Sequence, residues 1–390
     1  MADVSTSNDL DTLVSEMRAW RHHLHENPEF GFEEQDTARF VAEILRRSGI
    51  PDIAEGIGGT GIVASLKLGN SGRSIALRAD MDALRIPEAT NLPHASKKPG
   101  LMHACGHDGH TTMLLGTAIH LARHGGFDGT VRFVFQPAEE WGKGMQAMLD
   151  DGLLARFPFD EIYGLHNKPG LAIGHFETTP GPFYAAEDNF EIIVEGSGGH
   201  ASAPHRCRDA IMAGAAIVTE MQTIISRNID PAELAVVSVT EFHSDGTRNA
   251  IAGSARIEGD CRSFSPAVSE AIEHAMRRIA GGIGKAHACD VTVNYSRVFV
   301  PLINHPAATA QAIAAAEAVF GKANVNPVAN RMGGAEDFAQ VLEHLPGNFA
   351  NIGNGDSAVC HSPHYDFNDD GLIHGFNYFC TLVRQRLATS

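Results

Sequence analysis

Residues 131–166 read VRFVFQPAEEWGKGMQAMLDDGLLARFPFDEIYGLH. The stretch opens on a β-like run, Val131 to Phe135, and closes on another, Glu161 to Leu165, with a helical segment, Gly144 to Ala155, between them. Strands joined through a helix lie parallel, because a crossover of that length returns the chain to the same end of the sheet. The alternation extends upstream, where Gly61 to Leu68 and Ser74 to Arg78 are β-like and Thr111 to Arg123 is helical. Further upstream, Leu13 to Leu24 leads through Asn27-Pro28 into a second helix, Glu33 to Arg47, whose Phe40, Ile44 and Leu45 recur at helical spacing. The expected fold class is α/β, with a mainly parallel sheet flanked by helices.

Near Tyr184 the pattern changes. Asp188 to Glu195 alternates like a strand, Asp209 to Ser226 is helical, and Leu234 to Phe242 and Ala255 to Phe264 are strand-like. Ala267 to Ala280 is helical again, and Val291 to Val300 adds a last strand. The order β-α-β-β-α-β is that of a ferredoxin-like two-layer unit. Helix and strand signals resume at His305 to Phe320 and run to the C-terminus. The chain therefore reads as a discontinuous catalytic domain, 1–184 and 298–390, interrupted by an inserted α+β domain, 185–297. One motif misleads. Gly56-Ile57-Gly58-Gly59-Thr60-Gly61 matches GxGxxG, but a dinucleotide site needs a helix after it. Here the following residues, Ile62 to Leu68, are β-like, so a Gly-rich loop is the better reading.

Composition excludes several classes. The chain has 30 basic and 47 acidic residues, a formal charge of −17, which disfavours nucleic acid as a partner. No apolar run approaches the roughly 18–20 residues of a membrane span. Met1 to Leu10 has neither the basic end nor the apolar stretch of a secretory leader. Six cysteines without a CxxC pair suit a reducing cytoplasm better than a disulfide framework. The abnormal count is 21 histidines, and they cluster.

The densest cluster is Met102-His103-Ala104-Cys105-Gly106-His107-Asp108-Gly109-His110. On extended backbone, residues two apart project to the same side, so Cys105 and His107 are expected to grip one site. Thiolate with imidazole favours zinc or another first-row metal. Any one of these residues alone is more often a packed core side chain. Four potential ligands in eight residues, spaced by Gly106 and Gly109, argue for metal. Three strand ends are expected to deliver further groups: Asp80 and Asp82 after Ser74–Arg78, Glu139 and Glu140 after Val131–Phe135, and His166 after Glu161–Leu165. Ligands of open parallel sheets bind beyond the carboxyl ends of the strands. Glu139 and Glu140 can divide the labour, since a carboxylate on a metal does not easily shuttle protons and one beside a metal-activated water does. The segment CHSPHYDFND (360–369) supplies His361 in a turn that Pro363 keeps out of a helix.

Eight ordered segments carry a family resemblance: RHHLHENPEFGFEE (21–34), LRADMDAL (77–84), MHACGHDGHTTMLLGTA (102–118), FQPAEE (135–140), GLHN (164–167), GGHASAPH (198–205), AEDFA (335–339) and IGNGDSAVCHSPHYDFND (352–369). The chain resembles the aminoacylase-like metallopeptidases, in the branch of bacterial hippurate hydrolase, N-acyl-amino-acid amidohydrolases and plant auxin-conjugate hydrolases. The resemblance implies two divalent ions per subunit (Zn, Mn or Co), with Cys105 bridging them and His107, Glu140, His166 and His361 as the other ligands. It implies Glu139 as general base; His364 falls at a variable position and is not counted as a ligand. Asp82, and less directly Asp80, would orient a metal-bound histidine, while His103 and His110 would support or pack. The insert is similar to the family's lid and dimerisation domain, so a homodimer is expected, with His200 reaching into the partner's site and helping to hold the oxyanion. Asn249 and Arg262 match lid positions that bind substrate carboxylate or carbonyl; for Arg262 a strand-end surface charge is the competing reading. The implied reaction is hydrolysis of an N-acyl or N-aroyl amino acid, the alternative being a dinuclear exopeptidase acting on dipeptides. The sequence departs from the family at Ala250-Ile251-Ala252-Gly253, at Cys360 and at Arg206-Cys207-Arg208. The first and last of these lie in the lid and bear on substrate choice rather than chemistry.

Overall fold

The computed structural model describes residues 4–389, so the first three residues of the stretch read for a secretory leader lie outside the described residues. The chain divides into two units. The first holds the residues up to Gly181, Ile303–Asn330 and those from Asp337 onward; the second holds Pro182–Leu302 and a short segment, Arg331–Glu336.

The first unit begins with α1 (Val4–Glu26) and α2 (Gln35–Arg47). Helix α2 is amphipathic: Val41, Ala42 and Leu45 are buried, while Arg39, Arg46 and Arg47 face outward. Strands β1 (Asp52–Ile57) and β2 (Gly61–Leu68) form an antiparallel hairpin across Gly56–Gly61, so the glycine-rich motif turns a hairpin and opens no helix. Then follow β3 (Ser74–Asp80), α3 (His107–His124), β4 (Gly129–Gln136), α4 (Gly144–Asp150) and β5 (Glu161–Lys168). Strand β3 lies between β4 and β5 and runs parallel to both, with Asp80 opposite Gln136 and Ile75 opposite Glu161.

The second unit contains β6 (Ala186–Glu195), α5 (Ala210–Met221), β7 (Ala235–Ser244), β8 (Ser254–Ser263), α6 (Pro266–Ala286) and β9 (Asp290–Phe299). The sheet order is β7-β8-β6-β9, with every pair antiparallel, which is the arrangement of a ferredoxin-like unit. The helices start where capping residues stand: the Asp209 carboxylate accepts from Ile211 and Met212 N–H at 3.0 and 3.1 Å, and Ser265 accepts from Val268 N–H with Pro266 first in the helix. Phe190, Ile192, Val194, Ile257, Ile272 and Met276 form the core of this unit. The helix expected over Asp209–Ser226 ends at Met221 and gives way to a wider turn, Ile224–Asn228.

The chain then returns to the first unit with α7 (Pro306–Phe320), β10 (Gly347–Gly353) and α8 (Leu372–Arg386). Strand β10 pairs parallel with β5, so β4-β3-β5-β10 form a continuous parallel centre within an eight-stranded sheet. The hairpin joins it antiparallel on one side; the short strands Phe176–Glu177 and Val325–Asn326 complete the other. Central strands read as apolar runs because both faces are covered. Leu77, Phe133, Phe135, Tyr163 and Ile352 share one core with Met113, Leu114 and Ile119 of α3. Among the described residues no helix is long and apolar enough to cross a membrane.

Helix α3 packs against both α1 and α8 and is buried for most of its length. That crowding explains Gly109. A Cβ there would sit 2.4 Å from the buried ring of Phe367. Gly109→Ala would gain about 1 kcal/mol of helix propensity but incur overpacking of about 1–3 kcal/mol. The expected outcome is a loss of stability, read as a lower urea midpoint at unchanged slope; a midpoint at or above wild type would show that Phe367 can move aside.

Candidate metal and catalytic centre

The site is built on the carboxyl ends of the parallel strands. Asp80 is the last residue of β3 and Asp82 follows it; Glu139 and Glu140 stand in a one-turn helix just after β4. His361 follows β10. His166 is within β5, which runs on to Lys168, so it is presented by the strand itself rather than beyond its end.

Cys105 and His107 meet by a different route from the one the alternation predicted. Gly106 has φ +95°, a left-handed bend, and His107 is the first residue of α3, so the pair does not lie on extended backbone. The bend requires glycine on two counts: its φ, and the 2.2 Å and 2.6 Å that would separate a Cβ from Asn167 Oδ1 and the Tyr365 hydroxyl.

The donor atoms fall into overlapping groups, each within 4.8 Å: Cys105, His107 and His166; Cys105, Glu140 and His361; and His107, Glu139 and Glu140. Cys105 Sγ lies 3.4 Å from His166 Nε2, and His361 Nε2 lies 3.2 Å from Glu140 Oε1. The ring of His107 shows what the cluster fits. Its Nδ1 lies 2.9 Å from the Asp82 carbonyl, which can only accept, and 3.0 Å from Asp82 Oδ1. The proton is thereby fixed on Nδ1, and the Nε2 lone pair is left facing the cluster. That Nε2 is buried and has no hydrogen-bond partner. His166 repeats the device, with Nδ1 donating to the Asn167 carbonyl at 2.6 Å. A neutral ring held by its far nitrogen, its lone pair aimed at a thiol and carboxylates, is the arrangement of a metal-ligating histidine. The residues therefore fit a divalent cation.

Electrostatics agree. Burial opposes charge on His107, yet Asp80 and Asp82 outweigh it and raise its pKa well above the ordinary value, so a proton competes for the Nε2 position that a metal ion would take. The neighbouring Cys360 thiol, burial and the Glu140 carboxylate together push the Cys105 thiol well up. Burial and the neighbouring His110 depress His166 to about 3, which keeps it a neutral donor. So many acidic groups confined together is a conflict that a cation relieves.

Beneath the cluster runs a buried network in which the sequence marks Asp80 and His110 but not Arg78, Gln136 or Asp337. Asp80 bonds His110 Nδ1 at 2.7 Å and Arg78 Nη1 at 2.6 Å. His110 continues to Asn167 Oδ1, and Asn167 donates to the Tyr365 hydroxyl. Arg78 also donates to Gln136 and Asp337, and the Asp337 N–H reaches Glu139 Oε1 at 3.4 Å. The available signal was the charged pair Arg78 and Asp80 in an otherwise apolar strand, since charge buried on both faces of a parallel sheet must be paired. His364 turns away, its Nδ1 3.1 Å from the Ala89 carbonyl. His103 is buried, and burial lowers its pKa to about 3.

Within the second unit, His200 is exposed on a two-residue strand paired with Ala250–Ile251, and the Asn249 carbonyl accepts the Ala201 N–H at 3.0 Å in the same ribbon. His200 Nδ1 accepts the Ser202 N–H at 3.1 Å, so its proton sits on Nε2. Arg262 is already engaged, at 2.7 Å to Glu187 and 2.9 Å to Asp260.

Residues 76–385 match the peptidase family M20/M25/M40. The hippurate hydrolase of Campylobacter jejuni is 38% identical over 375 residues, covering 96% of this chain and 97% of its own length. An N-acyl-L-amino acid amidohydrolase of Geobacillus stearothermophilus is 40% identical over 306 residues, covering 77% of this chain and 82% of its own. The crystal structure of a Bacillus subtilis protein described as a dinuclear metal binding peptidase from the M20 family has a TM-score of 0.85 at 33% identity, covering 97% of this chain and 100% of that one.

Because Asp82 fixes the His107 ring, Asp82→Ala is expected to leave the fold intact and weaken metal binding by about 10–100-fold, measured by chelator competition. Unchanged affinity would remove Asp82 from that role.

Proposed function

The chain belongs to the peptidase family M20/M25/M40, and from that membership we propose that it is a metal-dependent amidohydrolase, cleaving N-acyl or N-aroyl amino acids to a carboxylic acid and a free amino acid. The observation that carries this reading is the pair of donor triads sharing Cys105, with Glu139 beside them. Cys105, His107 and His166 would hold one ion, and Cys105, Glu140 and His361 the other, with Zn, Mn or Co suited to this mixed sulfur, nitrogen and oxygen set. When bound, such a pair supplies an acidified water, its pKa brought from near 16 towards roughly 7, and an electrophile for the amide carbonyl.

The chain's own groups do the rest. Glu139 takes the proton of the attacking water at a carboxylate oxygen and returns it to the departing nitrogen. His200, protonated on Nε2, is a ready donor to the oxyanion of the tetrahedral intermediate. Asn249 and Arg262 would bind substrate carboxylate or carbonyl; for Arg262 this means exchanging Glu187 or Asp260 for the substrate.

We assign a homodimer through the second unit. Ile211 and Met212 of α5, Leu234 just before β7, and Val236 and Phe242 along it are exposed, and β7 is an edge strand of its sheet. An apolar patch beside an open edge suits a second copy. His200 then acts in the partner's site. A reducing cytoplasm is the assigned location, supported by six free cysteines. A second reading, hydrolysis of dipeptides, is favoured by the peptidase description of the Bacillus subtilis relative; turnover of a dipeptide above its N-benzoyl counterpart would select it.

Glu139→Gln is expected to retain full metal content and lose turnover by about 10²–10⁴-fold; near-wild-type turnover would refute the general base. His200→Ala and Glu139→Gln, each nearly inactive, are expected to regain about a quarter of wild-type sites when subunits are exchanged in equal amounts, because half the dimers are mixed and each has one complete site. No recovery after exchange is verified by tagged pull-down would place His200 in its own subunit's site or in none.

A further inference from the structure

The segment between α1 and α2 packs directly on the turn that carries Glu139 and Glu140. Gly31 lies so close that a Cβ there would meet the Trp141 ring at 2.6 Å and Ala138 Cα at 3.1 Å. The rings of Phe30 and Trp141 meet edge to face, 5.2 Å apart. From the same segment the fully buried Glu34 reaches inward: Oε1 accepts the Ala138 N–H at 2.8 Å, and Oε2 accepts the Thr60 hydroxyl at 2.5 Å.

Ala138 is the residue that bends the chain. Its φ of 49° and ψ of 42° are left-handed, a conformation in which an alanine Cβ crowds the following carbonyl. Such a residue persists only where its surroundings over-determine it. On the far side the bend is closed by Gly144, whose N–H donates to the Ala138 carbonyl at 3.2 Å. On the near side it is closed by Glu34. The next residue along the chain is Glu139.

We propose that Glu34 is a positioning residue for the hydrolysis: by accepting the Ala138 N–H, its carboxyl holds the left-handed bend that aims Glu139 into the site. This rests on the reading of Glu139 as general base. It gives a task to the Gly31-Phe32-Glu33-Glu34 stretch, which supplies none of the metal donors named above. Burial, against the Thr60 hydrogen bond, raises the Glu34 pKa to about 7. Either protonation state keeps an oxygen towards the Ala138 N–H, so the clamp needs an acceptor and no charge.

The test is steady-state hydrolysis of N-benzoylglycine at saturating divalent metal, with metal content measured in each variant. Glu34→Met fills the space without an acceptor. It is expected to lower kcat by roughly 10–10²-fold, the range for a misplaced catalytic group, with KM and metal content near wild type. Glu34→Gln keeps the acceptor and is expected to keep kcat within about threefold. Adding Ala138→Gly to Glu34→Met is expected to restore most of the loss, because glycine adopts the left-handed bend without the Cβ strain that Glu34 offsets in alanine. In a Glu139→Gln background, Glu34→Met is expected to add nothing, since both act through one group. Wild-type kcat in Glu34→Met overturns the proposal, as does a folded Glu34→Gln that is as slow as the Met variant. If Glu34→Met does not fold alone, the Ala138→Gly pair is read instead: recovery of folding and turnover supports the clamp, and failure of both overturns it. The general base is judged separately, since a fully active Glu139→Gln refutes that reading whatever the Glu34 variants do.

Discussion

The carboxylate of Asp82 joins three elements that would otherwise be independent. One oxygen accepts from the His107 ring at the start of α3, and the other accepts the Glu140 N–H at 3.0 Å in the turn after β4. Asp82 itself follows β3, so the strand in the middle of the parallel centre sets the positions of two donors at once. Its side chain is buried, where an unpaired carboxylate would be severely penalised. The site geometry and the pairing of this one charge therefore stand or fall together.

The same logic holds one layer down. Asp80 is held well below the usual carboxylate range, against its burial, by His107, His110 and Arg78. Arg78 reaches Gln136 on β4 and Asp337 beyond α7, so buried charges stitch neighbouring strand ends to one another. A second buried set lies under α1: Arg21 bonds Asp366 and Asp369, and His25 bonds Asp108 at 2.8 Å, immediately after His107. Burial works against charge on His25, but Asp108 and Glu88 prevail and raise it to about 9. The histidine-rich stretch at 21–25 thus supports the start of α3 from behind.

Much of this was legible in the sequence where the governing signal is local. Strand β3 shows itself by an apolar run, α5 and α6 by their helical runs, and the non-helical character of the Gly56–Gly61 loop by the β-like residues after it. The dense Cys/His cluster marks Cys105 and His107, the rule about strand ends marks Glu139, Glu140 and His166, and His361 enters as a ligand only through the family resemblance. What failed to show depends on backbone conformation or on distant partners. The left-handed Gly106 is indistinguishable in a string from any glycine, so Cys105 and His107 were placed on extended chain when a bend separates them. Asp337 meets Arg78 from far along the chain, and Arg331–Glu336 joins the second unit without a change of composition. Arg262 reads equally as a substrate ligand and as a strand-end surface charge, because Glu187, its closest partner, lies on a different strand.

The central proposal is that Cys105 would be shared by two metal ions. X-ray absorption of the zinc- or cobalt-loaded protein tests it most directly. The account predicts a sulfur neighbour at about 2.3 Å in addition to nitrogen and oxygen, a metal–metal vector of about 3.5–4 Å, and loss of both in Cys105→Ser. A spectrum with nitrogen and oxygen neighbours alone, from one ion per chain, would contradict it.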